Sequence, residues 1–238
     1  MIAISCELLE QYFAYQKGEI SKYNKEEIAN LLKYIMPLTI GKYQKERLNL
    51  SDELVKMYAD GSIMKFRNYN KEDNLIKNTE LKIMLTNNKN EYPYINVNDD
   101  IIKTKYSGTF YKEDNRNKAE KHIKVLLENA NNIFIYDNHI SKPNVFIGFK
   151  DFFNELVPRK QLNIYFPQNR QFTQQQKVEL LNIYNQWEFK IDRQFQRYYN
   201  SHDRYLIIDN KIELIFTSGI EYLFDDGKDF TYIINVKE

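Results

Sequence analysis

The feature that most constrains the fold of this chain is the alternation of helical and extended patterning from residue 115 onward. Asn115–Ala130 carries Ala119, Ile123, Leu126, Leu127 and Ala130 on one helical face, and Asn131-Asn132 then turns into the apolar run Ile133-Phe134-Ile135-Tyr136. The cycle repeats. A helix around Phe149–Leu156 is stopped by Pro158 and followed by the strand Leu162–Phe166, which Pro167 closes. A third helix, Gln174–Tyr184, leads to the strand Glu188–Ile191, and the strands Ile212–Phe216 and Phe230–Val236 end the chain. Such alternation predicts an α/β domain: a mostly parallel sheet covered by helices on both faces, with a mixed edge formed by the last strands.

The first hundred residues are patterned differently. Ile4, Leu8, Leu9 and Tyr12 recur at helical spacing, Lys25–Met36 carries Ile28, Leu31, Leu32 and Ile35 on one face before Pro37, and a third helix is expected from a Ser51 cap to Gly61. Residues 62–68 and 80–86 alternate like strands. Residues 1–105 are therefore expected to form a mainly helical, partly mixed region, either a cap on the domain spanning 106–238 or a functional domain of its own.

Within the regular half, one stretch concentrates reactive side chains: Ser201-His202-Asp203-Arg204-Tyr205-Leu206-Ile207-Ile208-Asp209. In a strand, His202 and Arg204 project from the same side. An imidazole that can attack or shuttle a proton, beside a planar guanidinium fork, points to phosphoryl chemistry. Asp137, Asn138 and His139 directly follow a predicted strand, where open parallel sheets place their sites, and Asp137 and His139 are candidate substrate contacts. Arg193 and Arg197, with Arg159, Lys160, Arg170 and Lys190, are interleaved with Phe172, Trp187, Phe195, Tyr198 and Tyr199. That mixture suits single-stranded nucleic acid, with phosphates on cations and bases on rings, or equally a solvated face over a tyrosine-rich core.

The spacing His202-x-Arg204-x4-Asp209, followed by Thr217-Ser218-Gly219, resembles the signature of the phospholipase D superfamily. The resemblance covers roughly residues 108–238, whose element order is similar to one half of such an enzyme. It implies that one histidine attacks phosphorus to give a phosphohistidine and a second protonates the leaving group, with no metal or other cofactor. It implies His202 as nucleophile, Arg204 as phosphate clamp and Asp209 as the group tuning the imidazole network. Ser218 is implied near the phosphate, and Asp229 as the acid that orients the histidine.

The family's Lys is Arg204 here, and its usual Asn has no equivalent around Ile220-Glu221. The motif occurs once, and single-copy members pair two histidines across a twofold axis, which implies a homodimer. The order His202-Asp203-Arg204 and the run Ser218–Leu223 also resemble the phospholipase D-like module behind MIT domains, which binds phospholipid without hydrolysis. The two branches imply opposite outcomes for catalysis.

Charge and composition narrow the partners. A net charge of +1 creates no global field toward polyanions, so any anion site is local. Cys6 is the sole cysteine, which excludes an intramolecular disulfide and a cysteine-rich zinc site and suggests a reducing compartment. His122, His139 and His202 lack zinc-motif spacing, and His122 reads as structural. No apolar stretch approaches the ~20 residues that span a bilayer. Met1–Glu10 has acids at Glu7 and Glu10 and no basic flank, so it is not read as a signal peptide. The expectation is a cytoplasmic, metal-independent nuclease acting as a homodimer on nucleic acid, similar to compact bacterial defence enzymes. The alternative is a non-catalytic module holding a phosphate-bearing ligand, nucleic acid or anionic lipid, through Arg204.

Overall fold

In a computed structural model of the chain, residues 1–34, 37–59, 64–100, 102, 107–193, 198 and 201–237 are described. They fall into two units, Met1–Asp100 and Ile101–Glu238.

The first unit interleaves its helices with strands that form a sheet of their own. It runs β1 (Ile2–Ile4), α1 (Cys6–Gln16), α2 (Lys25–Leu31), β2 (Leu38–Gly41), α3 (Lys42–Arg47), α4 (Asp52–Ala59), β3 (Met64–Arg67), α5 (Glu72–Lys77), β4 (Met84–Thr86) and β5 (Tyr94–Asn96). The five strands form an all-parallel sheet in the order β3-β2-β1-β4-β5. The expected helices exist, but three of the strands between them left no alternating trace. Ile2, Ala3 and Ile4 are each fully buried, so this short strand shows no alternation and its Ile4 reads as part of the stripe of α1. The helix starts follow local chemistry. Ser5 Oγ accepts from Leu8 N at 3.3 Å to cap α1, and Ser51 Oγ accepts from Leu54 N at 3.2 Å at the start of α4. The expected stop at Gly61 and the start of the 62–68 strand lie outside the described residues.

The second unit contains β6 (Gly108–Phe110), α6 (Asn117–Glu128), β7 (Asn132–Tyr136), α7 (Pro143–Glu155), β8 (Leu162–Pro167), α8 (Gln174–Ile183), β9 (Trp187–Asp192), β10 (Arg204–Ile208), β11 (Ile212–Phe216), a 3₁₀ turn (Ile220–Leu223) and β12 (Phe230–Val236). Its sheet has the order β6-β12-β11-β10-β7-β8-β9. Only β7-β8 and β8-β9 pair in parallel, and the other four pairings are antiparallel, which corrects the expectation of a mostly parallel sheet. No helix is described between β9 and β10, and β10 re-enters beside β7 running the opposite way.

Among the described residues the α-helices of this unit gather on one face rather than on both. His122 of α6 meets Tyr232, and Phe153 of α7 meets Trp187 and Phe189, side chains that the strand register assigns to one face. The crossovers β7→β8→β9 step in one direction, so right-handed connections put α7 and α8 on the same side. Phe146, Phe149, Phe153 and Phe166 all meet Phe172 edge-on, at centroid distances of 5.1–5.8 Å, to form the core beneath α7. The opposite face carries Phe134, Tyr136 and Ile207, with the Tyr198 ring packed on them.

Candidate active site at one edge of the mixed sheet

Every strand of the second sheet offers one end to the same edge, and that edge gathers the chemistry. Asp137 leaves the carboxyl end of β7, and Arg204 opens the antiparallel β10 directly beside it. Arg204 Nε lies 3.8 Å from Asp137 Oδ2, an ion pair without a hydrogen bond. The next strand, β11, ends in Thr217-Ser218-Gly219 and delivers the 3₁₀ turn with Glu221. Two glycines make this packing possible. A Cβ on Gly148 of α7 would stand 2.2 Å from Glu221 Cβ, and one on Gly219 would stand 2.2 Å from Glu221 Oε2.

The corner is under-satisfied. Asp137 Oδ2, Glu221 Oε2 and Ser218 Oγ are buried and make no hydrogen bond among the described residues. Burial pushes the Asp137 carboxyl up, against the pull of the His139 backbone N–H and the Arg204 charge. Burial also pushes Glu221 up, with the Asp137 charge adding to it and Arg204 opposing. Arg204 donates through Nη1 to the His202 carbonyl at 3.2 Å, and its Nη2 has no hydrogen bond among the described residues. A half-buried guanidinium with a free edge can receive an oxyanion.

Because both carboxyls hold their protons more tightly in the folded chain, the sign of the pH effect is set. Stability is undiminished below the ordinary carboxylate range and falls as pH rises through it, since the unfolded chain ionises first. Glu221→Gln is expected to raise urea stability at pH 7 by on the order of 1 kcal/mol, kept small by partial solvent access, and to flatten that slope. A destabilised variant with an unchanged slope would show that Glu221 is ionised and well paired.

The other expected site residues are distributed as follows. His202 does not lie in a strand: β10 starts at Arg204, so two-residue alternation cannot be extended to the exposed imidazole. His139 follows Asp137 in a tight turn, its N–H donating to Asp137 Oδ1 at 2.7 Å. Ser218 follows β11 at the same edge, its hydroxyl buried and without a partner among the described residues.

Asp209 is not. It lies at the opposite end of β10, roughly 17 Å away at the usual strand rise. There its carboxylate accepts from the backbone N–H of Asn131 and Asn132, at 3.0 and 2.7 Å. Asp229 is on the correct edge but two strands from β10, exposed, and accepts from Lys112 N at 3.0 Å, so it orients no histidine among the described residues. Arg193 is exposed just past β9, and Arg197 lies outside the described residues.

The basic and aromatic stretch divides. Phe172 and Trp187 are core rings, 2% and 3% exposed, and Trp187 Nε1 donates to the Pro158 carbonyl. Tyr198 is pinned to the sheet: its hydroxyl donates to Glu213, which also takes Lys237 Nζ at 3.1 Å and Asn235 Nδ2 at 3.3 Å. Phe195 and Tyr199 lie outside the described residues. His122 is fully buried with Nδ1 3.0 Å from the Tyr232 hydroxyl, a packing role.

Glu221 is the residue that sequence reasoning missed. Its only signal was its place two residues after a glycine that closes a strand. Among the described residues no three His, Cys, Asp or Glu side chains gather in a group able to hold a metal, and no helix is long and apolar enough to cross a membrane. No protein-family model matches the chain, and no curated protein is significantly similar to it.

Proposed function

We propose that the second unit cleaves phosphodiester bonds in nucleic acid, with Arg204 as the phosphate clamp and His202 as the nucleophile. The observation that carries this reading is the free guanidinium edge of Arg204, at the sheet edge that His202 borders and where the paired strand β11 gives way to the buried, unpartnered Ser218 hydroxyl. A phosphate seated there would take N–H and O–H donors that the chain leaves unused. Nucleic acid is preferred to lipid because Arg193 is exposed on the same edge, three strand spacings or ~14 Å from β10. A polyanion offers further phosphates at such distances, and a lipid headgroup offers one.

A binding-only reading is favoured by one observation: the exposed His202 imidazole has no partner among the described residues to orient it. Incubation with single- and double-stranded DNA and RNA in excess EDTA separates the two. Under the catalytic reading, cleavage survives the chelator and disappears in His202→Ala. Binding without cleavage, lost in Arg204→Ala and kept in His202→Ala, would establish the second reading. Neither binding nor cleavage would overturn both.

A further inference from the structure

The mixed sheet has an edge strand on either side, and the two are finished differently. β6 is three residues long, and an antiparallel bridge from Gly108 to Ile102 already lies beside it. β9 is six residues long, pairs in parallel with β8, and has no strand on its other side among the described residues. Such an edge is a template for a further strand. Ile191, 36% exposed, and the half-buried Phe189 stand on the helix-bearing face of this edge. Glu188 and Lys190 stand on the other face, in a 2.9 Å ion pair whose side chains are 48% and 40% exposed.

Symmetry limits what a second copy could add there. A twofold axis relating two antiparallel strands of one sheet stands perpendicular to that sheet. Each residue then meets one whose number gives a fixed, even sum with its own. The registers that use most of the strand are centred on Glu188, Phe189 or Lys190. Centred on Glu188, the register opposes Glu188 to itself. Centred on Lys190, it opposes Lys190 to itself and Glu188 to Asp192. Centred on Phe189, it opposes Glu188 to Lys190 on both sides of the axis, Phe189 to Phe189 and Trp187 to Ile191. Like charges directly opposite each other repel and unlike charges attract, so the charges select one register.

We infer that β9 is a dimer edge, at which a second copy of this chain adds its own β9 antiparallel about a twofold axis through Phe189. The ion pairs within the two strands are exchanged for two across the seam, and Lys190 keeps the Asn163 oxygen that it holds at 2.6 Å. The seam covers Ile191 and continues the sheet through both copies. Because the joined strands run oppositely, the Arg204 edges of the two copies lie at opposite ends of the joint sheet. This twofold therefore differs from one that brings two copies of His202 together, and it does not depend on the phosphodiesterase reading.

Sedimentation of the full chain over a concentration series tests it. The wild-type chain should pass from monomer to dimer as concentration rises. Glu188→Lys lines the edge with two lysines and Lys190→Glu lines it with two glutamates, so each variant alone should lose the dimer. Mixed in equal amounts, the two variants should recover a dimer containing one chain of each, since every opposed charged pair is then unlike. That recovery also shows that both variants are folded. A wild-type chain that stays monomeric throughout, single variants that dimerise as the wild type does, or a mixture that remains monomeric would each overturn the inference.

Discussion

Arg204→Ala is expected to reduce phosphodiester cleavage by on the order of 10²–10³-fold, more through weakened substrate binding than through altered product distribution. Two charge-assisted hydrogen bonds from one guanidinium to a phosphate are worth about 1.5–3 kcal/mol each, and the loss is measured against water at the opened edge. The variant also strips Asp137 and Glu221 of the positive charge that opposes their burial. Its stability should therefore fall more steeply as pH rises above the ordinary carboxylate range. Arg204→Lys keeps the charge and loses the planar fork, so it should restore the pH slope while recovering only part of the activity. Steady-state cleavage and urea melts at several pH values read both effects. Full activity in Arg204→Ala would mean that the phosphate binds elsewhere.

Asp209→Ala should cost about 2–5 kcal/mol of stability and leave cleavage per folded molecule unchanged. Asp209 and Asn210 both sit at positive φ, +48° and +58°, in the three-residue hairpin loop between β10 and β11. Alanine is strained there by about 1–2 kcal/mol. Its methyl group also abandons the Asn131 and Asn132 N–H donors, which loses about 1–3 kcal/mol more. Asp209→Asn tolerates the left-handed backbone and keeps one acceptor oxygen, so it should recover most of the loss. Chemical denaturation and cleavage assays on the same samples decide the matter. A stable Asp209→Ala protein without activity would place this carboxylate in the imidazole network after all.

Asp209 also shows how far the residues were legible. Asp-Asn between two apolar runs is itself a hairpin signal, and that local reading describes what the structure does with it. The motif spacing assigned the same carboxylate a place in the imidazole network. A strand five residues long carries its two ends far apart, and spacing along the chain says nothing about that separation. Glu221 is the converse case: no spacing marks it, because its approach to Asp137 depends on Gly148 of α7 admitting the turn after β11.

In the first unit the helices α1, α2 and α4 were readable because amphipathic periodicity and caps are written within a few residues. The parallel sheet was legible only in part: β3 and β4 lie within alternating stretches, but strands of three or four residues such as β1 and β2, buried throughout, carry no period of their own. In the second unit the same rule holds at a larger scale. Strand and helix identities, the edge on which Asp137 sits and the concentration of His202 and Arg204 in one segment follow from local sequence, where propensity and patterning act. Strand order, the antiparallel return of β10, the placement of α6 and α7 on one face and the meeting of Asp137, Arg204 and Glu221 were decided only by tertiary structure. Those are contacts between residues up to 124 positions apart, and they depend on pairing register and close packing that no local pattern encodes.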